Sequence, residues 1–375
     1  MKMSKFKLAF IVLCVATIVW GTIFYNTRLE YHKYIEDWRE SELSQWLARA
    51  RAVSSVIRVP QDYPTIGEAI DAADAGDTIL VSSGEYYEWG LRVNKTLSLV
   101  GENASTTIID GGGADAEILI IDADNVNLNG FTIQNCSKAG IYLRNSTGCT
   151  ISGNIEMKCD CGIALYHSSR NNIVNNIVSN NSNIGISLSC SNYNALEDNV
   201  IAFSYMWGML FGDSSYNIVT GNTIKNNLSP FLTGAGFKLD GHSNDNIIYH
   251  NNFIHNRPVN AWNNGRNVWD NGCEGNYWWE YNGTDADGDG IGDTPYICHV
   301  QDDYPLMNPY WNLADVNHDL NVDLYDATIV CVAYGSKLED ERYNCHCDLT
   351  EPYGTVNLYD AVIIFVNYGK EFENP

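Results

Sequence analysis

Apolar and polar positions fall into successive patterns along the chain. An uninterrupted apolar run from Leu8 to Tyr25 follows Lys2, Lys5 and Lys7. At ~1.5 Å per residue it nearly spans a ~30 Å hydrocarbon core, and the positive flank keeps the N-terminus cytoplasmic. Val19-Trp20-Gly21 offers no small-x-small site, so an uncleaved membrane anchor over 1–27 is favoured over a cleaved signal peptide, and everything after it lies outside the cell. From Arg28 to Ala52 the chain is rich in Glu, Arg, Leu, Trp and Ala without Gly or Pro, which predicts a helical stalk over 28–56.

The spacing then changes. Ile66, Ala69, Ile70 and Ala73 share one helical face, with Thr65 placed to cap its start and Gly76 to close it. Short apolar strands bounded by Gly, Asn or Asp are predicted at Thr78 to Val81, Leu97 to Val100, Thr107 to Ile109 and Ile118 to Ile121.

A repeat follows. Thr150-Ile-Ser-Gly-Asn154, Ile173-Val-Asn-Asn176, Leu196-Glu-Asp-Asn199 and Val219-Thr-Gly-Asn222 end in Asn at steps of 22, 23 and 23 residues. Gly140-Ile-Tyr-Leu143, Gly162-Ile-Ala-Leu165, Gly185-Ile-Ser-Leu188 and Gly208-Met-Leu-Phe211 keep the same step. A unit of this length carries two or three short strands and cannot bury its own apolar face, so it must stack on its neighbours. The fold class is therefore mostly β, a right-handed parallel β-helix over 57–309, with alternate residues such as Ile141 and Leu143 pointing inward. Asn at equivalent turns is expected to form an amide ladder from coil to coil. From Asn222 to Asn252 the step lengthens to 30, so the segment around Leu228 to Ala235 is expected to bulge out as a loop.

The net charge of −24 argues against a nucleic-acid partner, because phosphate binding needs clustered Lys and Arg. The acid is concentrated at the end: from Asp285 onward there are 18 acidic and 3 basic residues, a net −15. Divalent cations and neutral glycans are the partners this balance favours. Eleven cysteines, ten beyond the anchor, suit an exported chain as disulfides or free thiols; Cys159-Asp-Cys161 and Cys345-His-Cys347 supply too few ligands for a closed metal site. Asn-x-Ser/Thr sites at Asn94, Asn103, Asn135, Asn145, Asn180, Asn227 and Asn282 are compatible with glycosylation.

Two acidic loops have the spacing of Ca²⁺ sites. In the first, Asp285, Asp287, Asp289 and Asp293 stand at positions 1, 3, 5 and 9, the Ile291 carbonyl at 7 and Gly290 at the sharp turn. Position 12 is Tyr296 rather than a bidentate Glu, which implies weak affinity and a structural clip. In the second, Asp315, Asn317, Asp319, Asn321, Asp323 and Asp326 offer oxygen at 1, 3, 5, 7, 9 and 12, with Leu320 where Gly is usual. Val322-Asp-Leu-Tyr-Asp-Ala327 recurs 34 residues later as Val356-Asn-Leu-Tyr-Asp-Ala361, and each copy continues as an apolar helix ending in Tyr-Gly. The second copy retains only Asp348, Asn357 and Asp360 as weaker ligands.

Arg58-Val-Pro-Gln-Asp-Tyr-Pro-Thr-Ile66, Gly76-Asp-Thr-Ile79, Ser98-Leu-Val-Gly101, Gly130-Phe-Thr-Ile133, the Asn-ending repeats and Gly275-Asn-Tyr-Trp278 resemble the NosD-type β-helix proteins of the pectin-lyase-like fold. That resemblance implies the fold far more than the activity, since this scaffold hosts unrelated functions. The duplicated tail over 310–375, with Asp at position 12 and no helix before its loop, resembles a dockerin type I module. It implies Ca²⁺ as cofactor and a cohesin-like partner, which Leu324, Tyr325, Leu358 and Tyr359 would contact unless they pack the two halves together.

Chemistry beyond cation binding is sparse. No catalytic residues are assigned: lyases of this fold pair Ca²⁺-holding carboxylates with an Arg or Lys base, its hydrolases converge two or three Asp, and neither set is visible. The nearest candidates are Lys138 and Arg144 one coil from Asp160, and Asp240 with His242. His242, His250 and His255 raise copper handling, which the NosD resemblance implies, although no Cys-Met cluster accompanies them. Trp262, Trp269, Tyr277, Trp278, Trp279 and Tyr281 either cap the open end of the solenoid or stack on sugar rings. The expected protein is a membrane-anchored surface protein whose β-helix presents a carbohydrate- or protein-binding face and whose tail docks a partner. The alternatives are a polysaccharide lyase or glycoside hydrolase, and a NosD-like copper-handling accessory protein.

Overall fold

The structure, a computed structural model, describes residues 55–310, 314–318, 320–337, 340, 347, 349 and 355–370. The expected anchor, and the stalk up to residue 54, lie outside the described residues. Among the described residues no helix is long and apolar enough to cross a membrane.

The middle of the chain winds into a parallel β-solenoid of the right-handed type, formed by parallel sheets of nine, eight and nine strands. One coil shows the rule. Thr150–Ser152 lies in the first sheet, Ile155–Met157 in the second and Cys161–Tyr166 in the third, and Asn172–Val174 then returns to the first. Register is set residue by residue, with Ile151 opposite Ile173, Ile173 opposite Leu196, and Leu196 opposite Val219. All four are buried, and each contributes ~1.5 to 3 kcal/mol by leaving water.

Corners follow a two-residue rule. A residue in the left-handed region precedes most inward polar residues, as Asn175 (φ 55°) precedes Asn176 and Asp198 (φ 53°) precedes Asn199. Asn, Asp and Gly tolerate that conformation best, which explains much of the turn composition. The buried member then links coils: Asn176 donates through Nδ2 to Asn199 Oδ1 (3.0 Å), and Asn199 to Asn222 (2.9 Å). Each amide also reaches backward, Asn199 Nδ2 donating to the Ile173 carbonyl at 2.7 Å. The expected ladder is thus present, and it satisfies polar groups that would otherwise cost ~1 to 3 kcal/mol each.

Gly162 and Gly208 of the second repeat series stand where a Cβ would collide with the backbone carbonyl of the next coil, Gly185 or Gly236. The long step after Asn222 does bulge, exposing Leu228, Phe231 and Leu232.

Both ends are covered. Helix α1 (Ile66–Ala72), capped by the Thr65 hydroxyl, which accepts from Glu68 N, buries Ile66, Ala69 and Ile70 on the first coil. At the other end Trp278 stacks between Phe253 (4.4 Å) and Tyr296 (4.3 Å), beside buried Trp269. The aromatic cluster therefore divides. Trp269 and Trp278 cap the core, Tyr277 is half-buried against Ile291 and Leu306, Tyr281 is half-buried with its hydroxyl donating to the Thr294 carbonyl, and Trp262 stacks on His299. Only Trp279 of the six is exposed. Among the glycosylation sites, Asn227 is corrected: it is buried in a corner ladder and closed to an enzyme or a glycan.

After the solenoid come helices α2 (Leu324–Ala333) and α3 (Leu358–Asn367), each followed by a glycine in the left-handed region, Gly335 (φ 78°) and Gly369 (φ 83°). Ala314, Val316, Val322, Val330, Val356 and Ile364 form their separate core.

Candidate functional site

The acidic loop after the aromatic cap folds around its own first residue. Asp285 accepts from Gly288 N, Asp289 N and Gly290 N, and Asp289 accepts from Ile291 N (2.9 Å). Oxygens of Asp285, Asp287 and Asp289 thereby lie within 4.8 Å of one another. Asp293 is not brought to that group: its carboxylate accepts from the Thr284 hydroxyl and Ala286 N, both at 3.0 Å. Ile291 is buried in an antiparallel bridge with Leu306. Tyr296, at loop position 12, turns into the core and donates to Glu280 Oε1 at 2.6 Å.

The second loop uses its carboxylates as backbone acceptors. Asp326, fully buried, accepts from Val316 N (2.7 Å) and Asp323 N (2.8 Å). Asp323 caps α2 by accepting from Tyr325 N, and Asp315 accepts from Leu320 N. Leu320 has φ 71°, the strained position where glycine is usual. Asn317 and Asn321 are half-buried in the same loop, and Asp319 lies outside the described residues. The duplication holds in three dimensions: Asp360 accepts from Leu349 N and Asn357 N, as Asp326 does from Val316 N and Asp323 N. Asp348 lies outside the described residues.

A buried cluster missed at the sequence level ties this loop to the solenoid end. Glu274 lies between His250, with which it hydrogen-bonds, and His318, 3.4 Å away. Burial alone would raise the Glu274 carboxyl, but the two imidazoles hold it well below the usual carboxylate range. His250 also stacks on Tyr310 at 4.0 Å, and Tyr310 exchanges two 2.8 Å hydrogen bonds with Asn252. The partners are 24 and 44 residues from Glu274, so no local motif announces them.

Other candidates separate. Arg144 donates twice to Asp122, which Arg92 shares, and not to Asp160. Lys138 meets Asp160 only through its carbonyl, which accepts Asp160 N. Asp213, Asp240 and His242 do converge on an exposed corner, His242 Nδ1 standing 3.3 Å from Asp213. His242, His250 and His255 do not converge, since His250 is in the Glu274 cluster and His255 packs on Trp279. Apart from the Glu274 cluster, three His, Cys, Asp or Glu side chains bring ligand atoms within 4.8 Å of one another at this corner and at Asp285-Asp287-Asp289. Both sets are mainly hard carboxylate oxygen, which fits Ca²⁺ and does not fit a soft copper site.

Two shallow hollows, of about 340 and 320 Å³, carry one carboxylate each, Asp198 and Glu280. Glu280 is already engaged by Tyr296 and Asn260. A glycosidase needs two carboxyl groups across one bond, and neither hollow has them.

The family described as periplasmic copper-binding protein (NosD) matches residues 70–283, more than half the chain. A cell surface glycoprotein of Methanothermus fervidus is 36% identical over 100 residues, 26% of this chain and 16% of that protein. The chain thus spans about a sixth of that relative's length. Among solved structures, the periplasmic alginate epimerase AlgG is 17% identical (TM-score 0.42; 52% of this chain, 48% of that chain). The catalytic domain of a GH87 α-1,3-glucanase is 16% identical (TM-score 0.43; 53% and 39%). The Dettilon tailspike protein is 13% identical (TM-score 0.44; 57% and 46%). At these values the likenesses identify neither an activity nor a ligand.

Proposed function

This chain belongs to the NosD family, and on that premise we propose that it is a cell-surface protein whose solenoid spaces and presents while its acidic tail binds Ca²⁺ and docks a partner. The likeness to a cell surface glycoprotein supports the location. The observation that carries the docking role is the exposure of Leu324 (67%) and Tyr325 (71%) at the start of α2, whose opposite face is buried. Val332, Val362 and Val366 on the two helices are exposed as well. Large side chains left in water on a helix packed by its other face mark a contact surface. The partner this reading names is a cohesin-like module, engaged when Ca²⁺ holds the loop before α2.

The test is calorimetric titration of the ectodomain with a panel of cohesin modules, in Ca²⁺ and in chelator. Ca²⁺-dependent binding lost in Leu324→Ala/Tyr325→Ala supports the reading; no binding to any module in Ca²⁺ contradicts it. A glycan array addresses the solenoid, with retention and no product expected. Asp213, Asp240 and His242 favour a second reading, a polysaccharide-cleaving enzyme, which product formation abolished by Asp240→Asn would establish.

A further inference from the structure

The corner between the second and third sheets carries its own inward column: Cys136, Cys159, Asn181, Ser204, Asn227, Asn256 and Asn260, each buried. Further along, polar side chains join the coils. Asn181 Oδ1 accepts from Cys159 N (3.0 Å), Asn227 Oδ1 from Ser204 N (2.9 Å), and Asn256 Oδ1 from Asn227 Nδ2 (2.9 Å). At the first step the amides are replaced by two thiols. Cys136 and Cys159 are one coil apart, 23 residues, and stand as free thiols with their Sγ atoms in contact at 2.7 Å, longer than the ~2.05 Å of a disulfide. Stacked coils stand ~4.8 Å apart, inside the ~4.4 to 6.8 Å Cα separation that a disulfide spans.

We propose that Cys136 and Cys159 form a disulfide that staples two successive coils, taking over at that step the linking role of the amide ladder. Cys161 is two residues from Cys159, and its Sγ–H donates to the Ile163 carbonyl (3.4 Å). The oxidant is a small-molecule disulfide. The Cys136 thiolate attacks one of its sulfurs and releases the first thiolate. Cys159 then gives its proton to solvent and attacks Cys136 Sγ in the mixed disulfide, releasing the second. The protein loses two electrons and two protons, and the reagent becomes two thiols. Exposures of 6% for Cys136 and 1% for Cys159 place the exchange before the coils close, and shield the finished bond from reductant. Nothing in this chemistry depends on the docking or glycan readings.

Purified protein is refolded in glutathione buffers of defined poise, alkylated, and digested with trypsin without reduction. Cleavage after Lys95, Lys138, Lys158 and Arg170 leaves Cys136 in peptide 96–138 and Cys159 with Cys161 in 159–170. The expected product joins these two peptides, persists in Cys161→Ser and is absent from Cys159→Ser. Reduction should lower Tm by roughly 5 °C or more, as for a closed loop of this length. Alkylation of both thiols in the wild type at oxidising poise, or a cross-link lost in Cys161→Ser, overturns the proposal. Fragmentation of the joined wild-type peptides between Cys159 and Cys161 decides even where a variant fails to fold.

Discussion

The coils between Ala139 and Ile254 and the segment beyond Asp285 both tie up polar side chains, in opposite ways. In the column through Asn176, Asn199 and Asn222 each amide donates to one neighbour and accepts from the other, so these side chains complete one another. Beyond Asp285 the acceptors are carboxylates and the donors are backbone N–H groups, as at Asp285, Asp326 and Asp360. Those bonds satisfy some lone pairs and leave the charge. A repeat can make its polar groups mutually sufficient; an acidic loop keeps charge that its own hydrogen bonds do not neutralise.

Breaking the ladder should have the largest effect. Asn199→Ala orphans two buried donors of Asn176 and an acceptor on either side, and is expected to cost about 3 to 5 kcal/mol by denaturant midpoint. The equivalent cut in the tail, Asp326→Ala, should cost about 2 to 3 kcal/mol and act locally. Hydrogen exchange should quicken in α2 and stay unchanged over 139–254.

Glu156 is an exception within the coils. It lies in the aliphatic column of the second sheet, opposite Ile133 and Val178, fully buried, with neither carboxylate oxygen hydrogen-bonded. Burial raises its pKa well above the usual carboxylate value. The unfolded chain ionises first as pH rises above about 4.5, so stability falls from there upward toward the folded-state pKa. Glu156→Leu should remove that loss and stabilise the protein at pH 7 by about 1 to 3 kcal/mol.

Asp302 ends the Asn ladder, accepting from Asn276 N and the Trp278 indole, and burial pushes it up to about 7 despite those bonds. Wild type should therefore lose stability between about pH 4 and 7 in a step that Asp302→Asn abolishes. The smallest effect is expected for Tyr216→Ala, about 0.5 to 1 kcal/mol, since Tyr216 stacks on Tyr193 (5.0 Å) in an exposed column.

The periodic parts of the molecule were legible in the sequence because each coil repeats the same local solution. The Asn ladder, the first helix and the bulge at Leu228 all follow from spacing. Glu156 was not legible: pairing to Ile133 and Val178 turns it inward and leaves Ile155 and Met157 half-buried. The Glu274 cluster was invisible because a buried ion pair has no local signature when its partners come from a preceding coil and from the tail. Asp285, Asp287 and Asp289 were legible as a group because they lie in one turn; Asp293 left it because a nearer hydroxyl and N–H claimed its carboxylate.

Hydrogen exchange of the protein across a Ca²⁺ titration tests the division most directly. Exchange should slow over 285–293 and 315–326, half-complete in the ~10⁻⁴ to 10⁻³ M range of extracellular Ca²⁺ modules, with 139–254 indifferent to the ion. Identical exchange in Ca²⁺ and in chelator would contradict it.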